Sequence, residues 1–459
     1  MTDNTEIFVI DNQTPEDIAM LQALYSRSPA SVVSHLEKLK ASGSGKFMSQ
    51  YYVGYGHASI GDCGNTTVFI EQVSMLCAKT IQDNPLYNGQ EASTRYLDFS
   101  KQEVLNPFNT PLGAEIQKKW MQIYNEVLPK LNESLKKEHP FDKTEYKNER
   151  IWENTIYARA FDIARSLLPV GTTTLLSWTT SLRAARDNLK RLKYNPLPEV
   201  REVSTKILKA LIEKYPHSFD VNDLNENSDS YYTEFSEKNA FITKEAAVSK
   251  FCLTAAEIEE IKSGRLIHKY DTINAKWLLD NESGVIKKRP KYAPLPRRLD
   301  SYGRYNMLFL LDFGSFRDIQ RHRNGVCPIP LIDGAYGMHS WYMQQFSDYL
   351  SSNDNKELLS KIKEQEELIK TLPNDAYLKQ YYYPMGTNVL VHASYTVPEA
   401  VYIGEIRSYK TVHPTLRPIA QSMLRMLQQD FPDIAVYGDM DENSWNAKRG
   451  EQTIIEKGK

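Results

Sequence analysis

Four cysteines, Cys63, Cys77, Cys252 and Cys327, are scattered through 459 residues without a Cys-x-x-Cys pair. This spacing excludes a disulfide framework and a cysteine zinc site, so free thiols are expected. Cys77, inside an apolar helical stretch, reads as a small core hydrophobe. His339 and His413 lack any partner spacing for a metal, and no metal is expected. Charge of one sign is missing too. With 56 Lys+Arg against 58 Asp+Glu the net charge is -2, and runs such as Lys287-Lys288-Arg289 are too short for a nucleic-acid stripe. Long apolar runs are absent. The stretch from Met1 to Pro15 is polar and acidic, unlike a signal peptide, and nothing later approaches the ~20 apolar residues of a membrane span. A cytoplasmic protein with no membrane and no nucleic-acid partner is expected.

What is present is a globular composition, 41% hydrophobic and 25% charged, in a chain too long for one core. Two domains are expected, and the order of local signals repeats. Thr66 to Val73, closed by Ser74, matches Asn306 to Leu311, closed by Asp312: each is an apolar or β-branched run, a cap-type residue, then a short helix. Leu168-Pro169-Val170-Gly171-Thr172 is echoed by Tyr383-Pro384-Met385-Gly386-Thr387. An apolar helix is expected after each turn, then an arginine, Arg191 or Arg407, with Arg201 or Arg417 at the same interval beyond it. The helices behind them present Val200, Val203, Ile207, Leu208 and Leu211 in one copy, and Ile419, Met423, Met426 and Leu427 in the other. This is an internal repeat. Copy one spans 1–245 and copy two 246–459, divided near the loop-like stretch Asp220 to Asp229. A charged helical insertion runs from about Leu112 to Lys137. Copy two opens on a helical stretch, Ala255 to Ile267, and crosses the extended or turned segment Pro290 to Pro296.

Two half-motifs carry the chemistry. Copy one has Glu91, Ser93-Thr94-Arg95-Tyr96, with Asp83-Asn84-Pro85 and Gln90 upstream. Copy two has Arg321-His322-Arg323 after a short helix, then Val326, Leu331, Asp333 and Gly334. An arginine fork beside a serine hydroxyl suits phosphate oxygens, and a tyrosine can cover a base. Any one of these arginines could equally be a helix-surface ion-pair partner, and His322 a surface cation; the joint spacing is the signal.

Together the halves resemble the signature of flavin-dependent thymidylate synthases, Arg-His-Arg and then Ser-x-Arg-Tyr. Gly56-His57-Ala58-Ser59 with Asp62 is similar to that family's Gly-His-x-Ser/Thr-x-x-Glu-His element, with Asp62 and Cys63 as departures. Ala164-Arg165-Ser166-Leu167-Leu168-Pro169 is similar to its Ala-Arg-x-x-Leu-Pro, where copy two has Gln380. The resemblance implies an α+β (mixed α/β) protein of two copies of that fold, each a mixed sheet with surrounding helices. It implies Ser93, Arg95, Tyr96 and Arg165 as nucleotide contacts, and Arg191 and Arg407 as the pyrimidine-facing, catalytic arginines. His57, Ser59, Arg183, Arg321, His322 and Arg323 are the implied flavin contacts. It further implies FAD, methylenetetrahydrofolate and NADPH, methylation of a deoxyuridine nucleotide without a cysteine nucleophile, and a homo-oligomer, here a dimer of two-copy chains. Cys327-Pro328 lacks the context of a nucleophile and reads as structural. The departures from the signature leave room for modification of another pyrimidine nucleotide, or for a non-catalytic nucleotide-binding scaffold, as alternatives.

Overall fold

The computed structural model describes residues 6–220 and 230–441; most of the Asp220 to Asp229 loop lies outside them. The protein is α+β, with many helices and, among the described residues, two small sheets, the three-stranded one antiparallel. Strands β1 (Asn65–Ser74) and β2 (Thr173–Ser181) form one sheet; β3 (Ile267–His268), β4 (Tyr305–Asp312) and β5 (Asn388–Tyr395) form the other, in that order. The chain folds into two discontinuous compact units. Unit 1 comprises residues 1–73, 80–91 and 175–240, and unit 2 comprises 74–79, 92–174 and 241–459.

The repeated cap residues act as caps. Ser74 Oγ accepts the amide of Cys77 at 2.9 Å, and Asp312 Oδ2 accepts that of Ser315 at 2.9 Å. Each starts a short helix, Met75–Gln82 and Phe313–Ile319, and satisfies a donor that would otherwise cost about 1 kcal/mol. The echoed turns go further, because within unit 2 they bond to each other. Val170 N donates to Tyr383 O and Met385 N to Leu168 O, while Gly171 N donates to Tyr381 O and Gly386 N to Ser166 O, all at 2.8–2.9 Å. Pro169 and Pro384 face one another in an antiparallel bridge. Every bond has a counterpart with the copies exchanged, which is the behaviour of a local two-fold axis between two like segments.

Directly after each turn the chain forms a strand, β2 or β5, and only then the expected helix, Leu182–Leu192 or Val397–Ser408. Sequence reasoning misses these strands. The threonines of β2 and the valines of β5 fit a pleated, paired backbone, and β1 and β4 supply the partner ladders. All eight β5 residues are buried, and a strand covered on both faces shows no alternation to read. The helix at Ala255 also stops early, at Lys262; Gly264 takes a positive φ of 86° and Ile267 enters β3. The insertion is a helix, Pro111–Glu138. Helices Pro198–Lys214 and Arg417–Asp430 bury the expected faces, with Val203 only half-buried.

One face of β4 and β5 is covered by Ala247, Phe251 and Ile261, packed on Leu308, Leu310 and Leu390. His392 sits there, its ring 4.6 Å from that of Phe251 and neither nitrogen hydrogen-bonded among the described residues. Burial, with Lys250 adding to it, lowers its pKa to about 4. The imidazole is therefore neutral in the fold. The unfolded chain takes up this proton near pH 6.5 and the folded chain near pH 4, so stability is complete above about 6.5 and declines toward 4, by at most about 3 kcal/mol. A His392→Leu protein is expected to lose about that much less between pH 7 and 4.5 in urea unfolding. Parallel losses in both proteins would show that another group carries the acid sensitivity.

Candidate functional site

In unit 2 the two half-motifs lie in one arginine–carboxylate cluster. Arg95 forks onto Asp162, Nε to Oδ1 at 2.7 Å and Nη2 to Oδ2 at 3.0 Å, and Nη2 also donates to the Thr411 carbonyl at 3.1 Å. Ser93 Oγ accepts the Arg95 amide at 3.3 Å, and Tyr96 N closes back on the Ser93 carbonyl. Asp162 lies on helix Glu149–Ala164, which leads into Arg165. Arg165 Nη2 donates to Ser315 Oγ at 2.8 Å and lies 3.5 Å from Asp312 Oδ2. The Arg165 and Asp312 side chains are only 2% and 0% exposed, so this is a buried ion pair. Tyr342 donates its hydroxyl to Asp312 Oδ2 at 2.9 Å. Burial alone would raise the Asp312 carboxyl, but the Arg165 charge prevails and holds it below the usual range.

The polar contacts form a directed chain. His413 Nε2 donates to the Asp162 carbonyl at 3.1 Å, which leaves Nδ1 to accept from Thr415 Oγ1 at 2.8 Å. Thr415 in turn accepts from Ser315 Oγ at 2.7 Å, and Ser315 accepts from Arg165. Burial and the Arg165 charge take the His413 pKa down to about 3, consistent with a neutral ring in this chain.

Asp318 occupies the other end of the cluster. Desolvation would raise its carboxyl, but Arg321, Arg407, Arg95 and Arg165 outweigh it and hold the pKa far below the ordinary carboxylate value. Arg321 Nε is 3.7 Å away. Arg407 donates Nη2 to the Asp318 carbonyl at 2.8 Å and Nε to His322 Nε2 at 2.8 Å. Because Nε2 accepts, His322 is the neutral tautomer with its proton on Nδ1. Burial, then Arg407, lowers its pKa to about 3. His322 is thus a neutral hydrogen-bonding group. Arg323 gives Nη1 to the Arg321 carbonyl.

The structure brings Ser93, Arg95, Tyr96, Arg165, Arg321, His322, Arg323 and Arg407 into unit 2; His57, Ser59, Arg183 and Arg191 belong to unit 1. Arg191 Nη2 donates to the carbonyls of Thr80 and Asp83 and to Asn188 Oδ1. Arg183 Nη1 is 2.9 Å from Asp62 Oδ2. His57 and Ser59 are exposed, at a turn where Gly56 has a positive φ of 69° and open space on its Cβ side. An open glycine next to imidazole, hydroxyl and guanidinium donors lets an anionic ligand approach the backbone. The residues present fit the diphosphate of a flavin dinucleotide.

Sequence reasoning misses Asp162, Asp312, Asp318, Tyr342 and His413 as members of the cluster. Asp318 leaves a usable signal, being three residues before Arg321. Asp312 is legible only as a cap, and Asp162 has no local signature. Among the described residues no helix is long and apolar enough to cross a membrane, and no group of His, Cys, Asp or Glu is placed to hold a metal.

The fold and the cluster define an α+β protein whose like segments meet about a local two-fold, with arginines from both copies in one network. Residues 9–217 match the family described as thymidylate synthase complementing protein, so this region is similar to that flavin-dependent family. The chain is 24% identical over 424 residues to a UPF0159 protein of Chlamydia muridarum, covering 82% of this chain and 77% of the relative. A UPF0159 protein of Chlamydia pneumoniae is 22% identical over 412 residues, covering 81% and 76%. One from Thermoplasma acidophilum is 21% identical over 475 residues, covering 91% and 94%. Matches of this extent take in both copies and support the two-copy arrangement. The class of activity that the family carries is of the flavin-dependent thymidylate synthase type.

Proposed function

We propose that this chain methylates deoxyuridine monophosphate to thymidylate, with FAD as cofactor, methylenetetrahydrofolate as carbon donor and NADPH as reductant. The observation that carries the proposal is the unit 2 cluster, in which Arg95 from copy one and Arg321, His322 and Arg407 from copy two surround Asp318. Ser93, Arg95, Tyr96 and Arg165 are the proposed nucleotide contacts, with Arg191 and Arg407 facing the pyrimidine. His57, Ser59, Arg183, Arg321, His322 and Arg323 would hold the flavin, which when bound supplies the hydride. Arg407 is oriented by His322 and the Asp318 carbonyl, so its remaining N–H groups are fixed before a ligand arrives, and fixed donors stabilise developing charge without reorganisation. No cysteine acts as nucleophile in this scheme. The copies divide near residue 245, and the working form is a cytoplasmic dimer of two-copy chains.

A second reading, a nucleotide-binding scaffold without turnover, is favoured by one observation. The forks of Arg95 and Arg165 already face Asp162 and Asp312, carboxylates standing where a substrate phosphate would be expected. An absorbance spectrum and then an activity assay separate the readings. The purified protein is expected to show bound flavin, to bleach on addition of NADPH, and to form thymidylate from deoxyuridine monophosphate and methylenetetrahydrofolate. Absence of flavin, with no spectral change on adding FAD, favours the scaffold. Bleaching without thymidylate points to another pyrimidine nucleotide.

A further inference from the structure

We propose that His413 is a positioning residue that holds Arg95 and Arg165, the two arginines proposed as nucleotide contacts, in one geometry. The role rests on that reading of the two arginines. His413 is 0% exposed and lies in the short loop between helices Val397–Ser408 and Arg417–Asp430. This loop meets both arginines. Near its start the Thr411 carbonyl accepts from Arg95 Nη2, and near its end the Thr415 hydroxyl meets Ser315, which accepts from Arg165. His413 stands between them, with Nε2 3.1 Å from the carbonyl of Asp162, whose carboxylate holds Arg95. The same nitrogen is 3.5 Å from the Tyr342 hydroxyl, which donates to Asp312 beside Arg165. One imidazole therefore touches the supports of both ion pairs.

Groups that can only donate or only accept fix the direction of these bonds. A carbonyl can only accept, so Nε2 carries the ring proton. A backbone amide can only donate, and the Thr415 amide reaches Nδ1 at 3.3 Å, so Nδ1 is bare. A guanidinium can only donate, so Ser315 turns its own proton to Thr415, and Thr415 passes its proton to Nδ1. Both hydroxyls are thereby oriented before a ligand arrives. The ring is held as firmly, since Trp341 stands edge-on to it with centroids 5.1 Å apart and Tyr342 packs at 5.6 Å. The His413 carbonyl accepts the amides of Leu416 and Arg417, which ties the loop to the helix that follows. Burial, then the Arg165 charge, keeps the ring neutral, so no second proton reverses the path. In a buried, fully connected network a shift at one member is felt by the others. Donors fixed in this way lose little side-chain freedom when a phosphate binds.

Calorimetry of deoxyuridine monophosphate binding to the full chain tests the role. Thr415→Val removes the hydroxyl at nearly constant volume and is expected to weaken the nucleotide about tenfold, the factor carried by one or two hydrogen bonds. Thr415→Ser keeps the hydroxyl and should bind within about twofold of the unaltered protein. His413→Phe should weaken binding at least as much as Thr415→Val, and combining the two should add little. Flavin content and urea unfolding are read on the same samples, because a residue that serves only the fold lowers stability and leaves the affinity of the folded protein unchanged. Nitrogen NMR of labelled histidine gives a readout without ligand. His413 is expected to show a bare Nδ1 and a protonated Nε2, with no titration between about pH 6 and 8, where an ordinary histidine changes. Its signals should shift in Ser315→Ala, one bond further along the path. Unaltered nucleotide affinity in folded Thr415→Val, or equal losses in Thr415→Ser and Thr415→Val, overturns the positioning role alone. No binding by the unaltered protein overturns the nucleotide contacts and the role with them.

Discussion

Replacing Arg165 by methionine is expected to cost about 3–5 kcal/mol of folding stability, the range for removing one partner of a buried ion pair. The stem volume is largely kept, so the cost comes from charge. Without Arg165, Asp312 remains 0% exposed and loses its nearest full positive charge, keeping the Ser315 amide and the Tyr342 hydroxyl as donors to Oδ2. The chain of donors that runs through Ser315 and Thr415 to His413 also loses its first member. Asp312→Asn retains an acceptor for the cap and for Tyr342 while removing the charge. The double variant, Arg165→Met with Asp312→Asn, should therefore lose clearly less than the sum of the two single changes. Urea unfolding of the four proteins measures the coupling. A loss below about 1 kcal/mol for Arg165→Met would mean that the charge pair contributes little and that Arg165 serves a ligand.

Either Arg95→Ala or Arg321→Ala alone is expected to lower kcat/KM for the nucleotide by roughly 10- to 150-fold, the equivalent of one charge-assisted hydrogen bond. The combination should add little, because residues acting in one site are not additive. The geometric motive is Asp318, where the fields of both arginines converge although they come from different copies. Arg321 is 45% exposed, so its removal should leave folding unchanged. Arg95 is bound to Asp162, so its variant needs a parallel unfolding measurement to separate binding from stability. Fully additive losses would refute a shared site. Loss in Arg95→Ala alone, matched by loss of stability, would assign Arg95 to holding the fold.

The legible parts of this protein are those that act over a few residues. Ser74 and Asp312 could be read as caps because a side-chain oxygen three residues before an amide closes that bond whatever the surroundings. The two proline turns could be read as repeats because their order of residue types is itself the local structure. Apolar faces of the late helices were legible from spacing for the same reason. Fully buried β5 reads as helix because it shows no two-residue alternation, whereas β2 does bury alternate residues but its threonines and serines give that alternation little apolar contrast in the sequence.

By itself, then, the sequence determined the repeat, its caps and turns, and the types of side chain available to a site. Only the tertiary structure decided how those side chains are used. It set the repeated turns against each other about a local two-fold, and it gathered residues 92–174 with copy two into unit 2. It also gave Arg95 to Asp162, Arg165 to Asp312, and Arg407 to His322 and Asp318. The physical reason is range. Capping and periodicity are settled within a turn or two of chain, whereas the partner of a buried charge is chosen by whichever opposite charge long-range packing leaves within reach once water has been excluded.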